Sequence, residues 1–215
     1  MSKNAISKSV IRRLPRYHRF LGELDKKGCV RISSRELSEK MGLTASQIRQ
    51  DLNCFGGFGQ QGYGYNVKEL RDEIGKILGI GRDIPMILIG AGNLGKAIAT
   101  HIDFHNMGFN LIGIFDNDND LSGKTIGNLK VKYISEIEEF CKEYKPAAAI
   151  LCIPKEAAAD AADVLISFGI RAFWNFSHYD LALTHHNVVV ENVHLGDSML
   201  RLSYGLNVLD NSSSE

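Results

Sequence analysis

The chain carries a glycine-spaced turn, Gly90-Ala91-Gly92-Asn93-Leu94-Gly95, directly after the apolar run Met86–Ile89. A second apolar run, Phe109–Phe115, ends on Asp116, about 20 residues past the last of those glycines. This is chemistry for an anion and a sugar. The first glycine permits a tight strand-to-helix turn. The second lets backbone amides approach a pyrophosphate held at a helix N-terminus, and the third lets the helix pack against the strand. A carboxylate at Asp116 would accept hydrogen bonds from ribose hydroxyls and repel a 2′-phosphate, which favours NAD(H) over NADP(H). Residues 90–95 and Asp116 are therefore candidate cofactor-binding residues. Ile153 and Pro154 join them, because they follow a further apolar strand at the end where doubly wound sheets receive ligands.

A second constellation lies near the N-terminus. Ser33 with Glu36, and Thr44 with Gln47, have the spacing of two helix capping boxes, and Met41-Gly42-Leu43 lies between them. Two short capped helices joined by a glycine turn are a helix-turn-helix pattern, whose second helix enters a DNA major groove. With Ile48 and Leu52 turned inward, Thr44, Ser46, Gln47, Arg49 and Gln50 lie at the start and on the outer face of that helix. Arg49 suits guanine O6 and N7; Gln47 or Gln50 suits adenine N6 and N7. Downstream, Phe55 to Tyr65 is glycine-rich with aromatics at Phe55, Phe58, Tyr63 and Tyr65 as anchors. It reads as a hairpin wing whose tip, Gln60-Gln61-Gly62 with Tyr63, lies along a minor groove. Upstream, Arg13 and Arg16 sit among the arginines of a first helix, placed for phosphates.

Other chemistries fail on spacing. No Gly-Lys-Ser/Thr follows the glycine-rich wing, so it is not a P-loop. Asp116-Asn-Asp118-Asn-Asp120 is not a calcium loop, since Leu121 and Gly127 occupy the positions that need Gly and Glu. None of the seven histidines lies in an H-E-x-x-H or beside a nucleophile motif, so neither a metal site nor a catalytic constellation is expected. A cofactor fold with no substrate domain points to sensing rather than turnover.

The elements that must position these residues follow from pattern. The chain has 215 residues and a formal net charge of zero, yet residues 1–80 carry 15 Lys+Arg against 8 Asp+Glu, and residues 81–215 carry 10 against 17. The neutral total is a cancellation of +7 and −7, which divides the chain into a basic reader and an acidic nucleotide binder. In the first part, helices are expected over 14–24 (with Pro15 in its first turn), after Ser33, after Thr44 and over 67–78. In the second, strands at 86–89, 109–115, 147–153, 171–176 and 188–193 alternate with helices at 94–105, 135–144, 155–168 and 195–209. The expected fold is α/β: a winged helix-turn-helix domain over 1–80, a Rossmann (doubly wound parallel sheet) domain over 81–193, and a C-terminal helix and tail over 194–215. The longest apolar run, 147–154, is far short of the roughly 20 residues that span a bilayer, so no membrane partner is expected. Four scattered cysteines without a C-x-x-C pair fit a cytoplasmic protein.

In order and spacing the chain resembles the Rex family of redox-sensing transcriptional repressors from about Val10 to Leu209. The likeness runs through Arg13-Leu-Pro-Arg-Tyr17, Arg31-Ile-Ser-Ser34, Glu36-Leu-Ser38, Asp51-Leu52, Gly64-Tyr65, residues 90–95, Phe115-Asp116, Val190-Glu-Asn-Val193 and Leu202-Ser-Tyr204. The resemblance implies a homodimer whose terminal helix is domain-swapped onto the partner. It implies operator DNA bound when NADH is scarce and released when NADH binds. It also marks departures. Gln50, Gln60 and Gln61 stand where the family usually has cations, and His101 and His194 stand where it has Tyr and Asp. With Arg19, those last two positions are switch candidates, and two histidines there would make the response pH-sensitive. The residues themselves leave three other readings: a small NAD-dependent oxidoreductase, a winged-helix repressor sensing another nucleotide-like ligand such as coenzyme A, and a thiol sensor using Cys29 or Cys54.

Overall fold

The computed structural model describes residues 6–56, 59–60 and 63–212, and the chain divides into two compact units, Met1–Gly81 and Arg82–Glu215. The first unit begins with α1 (Lys8–Lys26), whose N-cap Ser7 accepts a hydrogen bond from the Val10 amide. The helix thus starts two turns before the expected Leu14, and Pro15 is interior rather than in the first turn. Proline removes the amide that would bond the Ile11 carbonyl, a defect of about 3 kcal/mol in a helix interior. Burial of Leu14, Tyr17 and Leu21 offsets it. Strand β1 (Arg31–Ile32) leads to α2 (Ser34–Met41), where the Ser33–Glu36 capping box is formed, and Gly42 ends that helix in the left-handed region. Then come α3 (Ala45–Asn53), β2 (Gly59–Gln60), β3 (Gly64–Asn66) and α4 (Val67–Leu78). The strands form an antiparallel sheet in the order β1-β3-β2, pairing Ile32 with Tyr65 and Gln60 with Gly64. This is a winged helix around one core of Leu14, Tyr17, Leu21, Leu37, Met41, Ile48, Leu52, Leu70 and Ile74. Ile77 is exposed, and Val67, Leu70 and Ile74 fill the buried face of α4.

The second unit is a seven-stranded sheet. Strand β4 (Ile84–Ile89) is central, with β5 (Phe109–Asp116) and β7 (Leu129–Tyr133) on one side. On the other side lie β8 (Ala148–Leu151), β9 (Ala172–Asn175) and β10 (Val189–Asn192). These six are parallel; β6 (Thr125–Ile126) adds an antiparallel edge beside β7. The order is that of a Rossmann fold. Alternate residues of β4 serve opposite faces: Ile87 and Ile89 enter one core with Phe115, Leu151 and Phe173, and Met86 and Leu88 the other with Ile114 and Ile150. Burial on both faces is why these strands are continuously apolar. Helices α5 (Asn93–His101), α6 (Ile137–Tyr144), α7 (Lys155–Ser167) and the short α8 (Leu181–Thr184) connect the strands. Helix α5 stops four residues short of the expected His105, and its Ala97 is exposed, leaving Ile98 to face the core.

The last helix, α9 (Leu195–Ser212), has no buried residue. Its Met199, Leu202 and Leu206 are 69%, 64% and 54% exposed. No helix among the described residues is long and apolar enough to cross a membrane.

Candidate nucleotide site and candidate nucleic-acid interface

The sheet order reverses between β4 and β8, and the carboxyl ends of these two strands frame a cavity of about 330 Å³. Gly90 turns the chain out of β4 at φ +97°, and a Cβ there would lie 2.4 Å from the Cys152 carbonyl oxygen. Gly95 packs the first turn of α5 onto the loop so tightly that its Cβ would lie 1.9 Å from the Gly90 carbonyl oxygen. At Gly92, by contrast, an added Cβ meets nothing within 4 Å. The glycines therefore split into two that shape the loop and one that leaves a helix N-terminus open. This is the arrangement a pyrophosphate needs.

Asp116 closes one side. Its carboxylate accepts from the Ala91 amide at 2.5 Å and from the Asp118 amide at 2.8 Å, which ties the strand end to the glycine loop. Of the sequence candidates, Gly90, Gly92, Asp116, Ile153 and Pro154 line the cavity. Ala91 and Gly95 are buried beneath it, and Asn93 and Leu94 occupy the exposed first turn of α5. The opposite wall also holds Cys152, in the same strand-end turn as Ile153 and Pro154, together with Ala157 and Ala161, which pattern reasoning missed. The two alanines stand four apart on α7 and keep that face low beside the cavity. Burial pushes the Cys152 thiol up to about 12, so it lines the site as an apolar group. Among the described residues, no three His, Cys, Asp or Glu side chains converge as metal ligands.

The candidate DNA-contacting residues do not all face outward. Arg13 forms a two-pronged ion pair with the fully buried Asp51, Nε to Oδ2 and Nη2 to Oδ1, both 2.7 Å. Tyr17 donates its hydroxyl to the same carboxylate at 2.9 Å, and Arg16 donates to the Met41 carbonyl. These contacts fasten α1 to α3 and to the turn. Thr44 caps α3 by accepting the Gln47 amide, but the second capping box is not completed: the Gln47 side chain turns to Asp51, at 2.9 Å. A buried carboxylate one turn ahead outcompetes a solvated N-terminus for that amide. Ser46, Arg49 and Gln50 are exposed on α3, and Arg49 also donates to Ser34 Oγ at 3.0 Å. In the wing, Tyr63 is exposed rather than an anchor, while Tyr65 is buried. Arg31 donates to the Tyr63 carbonyl at 3.2 Å. Gln60 lies on β2, and Phe58, Gln61 and Gly62 lie outside the described residues.

Of the switch candidates, Arg19 is exposed on α1 with its guanidinium 5.9 Å from the Phe20 ring centroid, and His101 is the exposed last residue of α5. His194 lies on His178, Nδ1 to Nδ1 at 3.2 Å, with Asp180 3.9 Å from its Nε2.

The chain is 57% identical over 205 residues to the redox-sensing transcriptional repressor Rex of Thermoanaerobacter sp. (strain X514), an alignment that covers 95% of this chain and 91% of that protein. The chain belongs to the Rex family. The Rex repressor of Clostridium acetobutylicum is 52% identical over 201 residues, covering 94% of each chain. Among solved structures, RSP in complex with β-NADH matches at a TM-score of 0.89 and 51% identity, covering 98% of this chain and 99% of that one. RSP in complex with β-NAD+ and operator DNA matches at 0.89 and 54% identity, covering 98% and 97%. Two family models match parts of this Rex-family chain: "Putative DNA-binding protein N-terminus" over residues 5–53 and "CoA binding domain" over residues 81–179.

Proposed function

We propose that the chain is a DNA-binding transcriptional repressor that senses the NADH/NAD+ ratio, holding operator DNA when NADH is scarce and releasing it when NADH binds. The observation that carries the cofactor reading is the cavity at the switch point of the sheet, with Gly92 open before α5 and Asp116 across from it. Gly90 to Gly95 would hold the pyrophosphate at the α5 N-terminus, Asp116 the adenosine ribose, and Ile153 and Pro154 the far wall. The acceptor positions that the Ala91 and Asp118 amides leave on the Asp116 carboxylate suit a ribose with both hydroxyls unmodified. The carboxylate repels the ribose 3′-phosphate of coenzyme A as it repels the 2′-phosphate of NADP(H), so the "CoA binding domain" likeness reflects the shared fold. In support, the similar RSP structures hold NADH in one case, and NAD+ with operator DNA in another.

In the reader unit, α3 supplies Arg49, Gln50, Ser46 and Gln47 to base edges, Arg13 braces α1 against it, and Arg16 braces α1 against the end of α2. The neutral Gln50, Gln60 and Gln61 each remove a possible phosphate contact, so the salt dependence of binding is shallower by about 1 per position. The exposed apolar surface of α9 is covered by a second copy of the chain, and the homodimer sets two recognition helices on one operator, in the cytoplasm. A sensing role rather than turnover is supported by relatives named as repressors. A swing from 1:99 to 99:1 between DNA-competent and released states requires about 10⁴-fold differential NADH affinity, roughly 5.5 kcal/mol.

The test is to titrate the protein–operator complex with NADH, NAD+ and coenzyme A at two salt concentrations. NADH should release the operator at concentrations where NAD+ and coenzyme A do not. Release by coenzyme A alone, or turnover of an alcohol or aldehyde with no DNA affinity, would replace this reading.

A further inference from the structure

Asp51 belongs to α3, yet its side chain is wholly buried. A carboxylate offers about four acceptor positions, and all are used. Oδ1 receives Arg13 Nη2 at 2.7 Å and Gln47 Nε2 at 2.9 Å; Oδ2 receives Arg13 Nε at 2.7 Å and Tyr17 Oη at 2.9 Å. Burial by itself pushes the Asp51 carboxyl up, but the hydrogen bonds from Arg13, Gln47 and Tyr17 outweigh it and hold it below the usual carboxylate range. Asp51 is therefore ionised at neutral pH and has no proton to give.

This has a consequence for Gln47. A glutamine amide has two orientations that differ only in exchanging oxygen and nitrogen, and a free side chain samples both. An ionised carboxylate can only accept. The orientation with Nε2 toward Asp51 is bonded, and the reverse sets Oε1 against a carboxylate oxygen. What remains to Gln47, one N–H and the Oε1 lone pairs, is held in one order. A glutamine reading adenine needs both, giving to N7 and accepting from N6. Gln50, exposed on the same helix, has no comparable anchor among the described residues.

We propose that Asp51 is a specificity-determining positioning residue: without meeting DNA, it fixes the Gln47 amide in the one orientation that presents an adenine-matching donor and acceptor from the first turn of α3. This rests on the reading of α3 as the recognition helix. The experiment selects operators from a randomised half-site library with the full chain and with the variants Gln47→Ala, Asp51→Asn and the pair. Gln47→Ala should lose an adenine preference at one half-site position, by about 5- to 150-fold, the discrimination of a good bidentate contact. Asp51→Asn offers Gln47 either polarity. It should lose at least fivefold at that same position, leave other positions within twofold, and add nothing in the Gln47→Ala background. An even loss at all positions, as a weakened fold would produce, or an unchanged profile overturns the positioning role. If Gln47→Ala itself leaves every preference intact, the reading of α3's first turn fails, and this proposal fails with it. Should Asp51→Asn not fold, the wild-type protein decides by NMR: one Gln47 side-chain amide proton should exchange with water at least tenfold more slowly than those of Gln50, and equal exchange overturns the proposal.

Discussion

Replacing Gly92 by alanine separates binding from folding in the nucleotide unit. Gly92 caps α5 at φ −66° and ψ −168°, a conformation open to any residue, and a Cβ built there has no neighbour within 4 Å. Alanine is a poorer N-cap than glycine by about 0.5–1 kcal/mol. It also restricts the unfolded chain, a gain of about 0.4–1 kcal/mol. The two nearly cancel, so the melting temperature should stay within a few degrees. Binding is different, because the open direction over Gly92 is where a pyrophosphate would approach the α5 amides. Losing even one hydrogen bond to a charged phosphate is about 1.5–3 kcal/mol, roughly 10- to 150-fold in Kd. Gly95→Ala is the control for shape, since its Cβ would sit 1.9 Å from the Gly90 carbonyl oxygen and the loop must give way. NADH titration by fluorescence, with a thermal melt of the same preparation, checks all of this. Gly92→Ala should bind operator as wild type does and no longer release it at NADH levels that relieve the wild type. An NADH affinity within twofold of wild type in a folded Gly92→Ala protein would refute the placement of the pyrophosphate. A collapsed melt would refute the claim that the site is open.

Two further outcomes are expected. Arg49→Ala removes an exposed side chain and should leave stability unchanged while lowering specific operator affinity by about 1–3 kcal/mol; undiminished sequence-specific gel shifts at physiological salt would count against it. The pH dependence of the reader follows from Asp51, whose folded pKa lies below its unfolded value. Its stabilisation is fully present above the ordinary carboxylate pKa of about 4 and is lost as pH falls through the lower folded value. Tyr17, raised by burial and by its bond to Asp51, acts with the opposite sign: its contribution is full below about pH 10 and fades as pH rises through the higher folded value. Melts of the full chain between pH 7 and 3 should show a shallower acid loss in Asp51→Asn than in wild type, and equal slopes would exclude Asp51 as the cause.

Much of the fold was legible because its signals are local. The apolar run ending at Ile89, the glycine spacing and Asp116 specify a strand, a turn and a second strand end whatever the rest of the chain does, and the Rossmann order follows from connection rules. The cap at Ser33 is formed as its spacing from Glu36 implies. What was not legible depends on partners distant in sequence. The helical start at Ser7 is obscured by Pro15, whose defect is offset only by a core assembled from four helices. Arg13 reads as a phosphate contact until Asp51, 38 residues later, is folded beneath it. Gln47 reads as a cap partner until the same carboxylate competes for it. The β6–β7 edge hairpin has an alternating stretch, Leu129-Lys-Val-Lys-Tyr133, too short to distinguish from a loop, and the single turn of α8 has no period at all. In the cavity, Gly90, Gly92 and Asp116 were legible from spacing, and Cys152 from its place at the end of β8; Ala157 and Ala161 were not, since only the packing of α7 beside β8 brings them there.

Pro15 and Asp51 together have a mechanical consequence. Helix α1 lacks one rung of its hydrogen-bond ladder at Pro15, and Arg13 and Tyr17 flank that gap. Both hold the same carboxylate, so a side chain of α3 spans the break like a splint across a cracked beam. Helix α1 is then not whole without α3. The reader should melt in one step, with amide protons of α1 on both sides of Pro15 exchanging at the rate set by α3, and no half-built DNA surface should survive to bind at random.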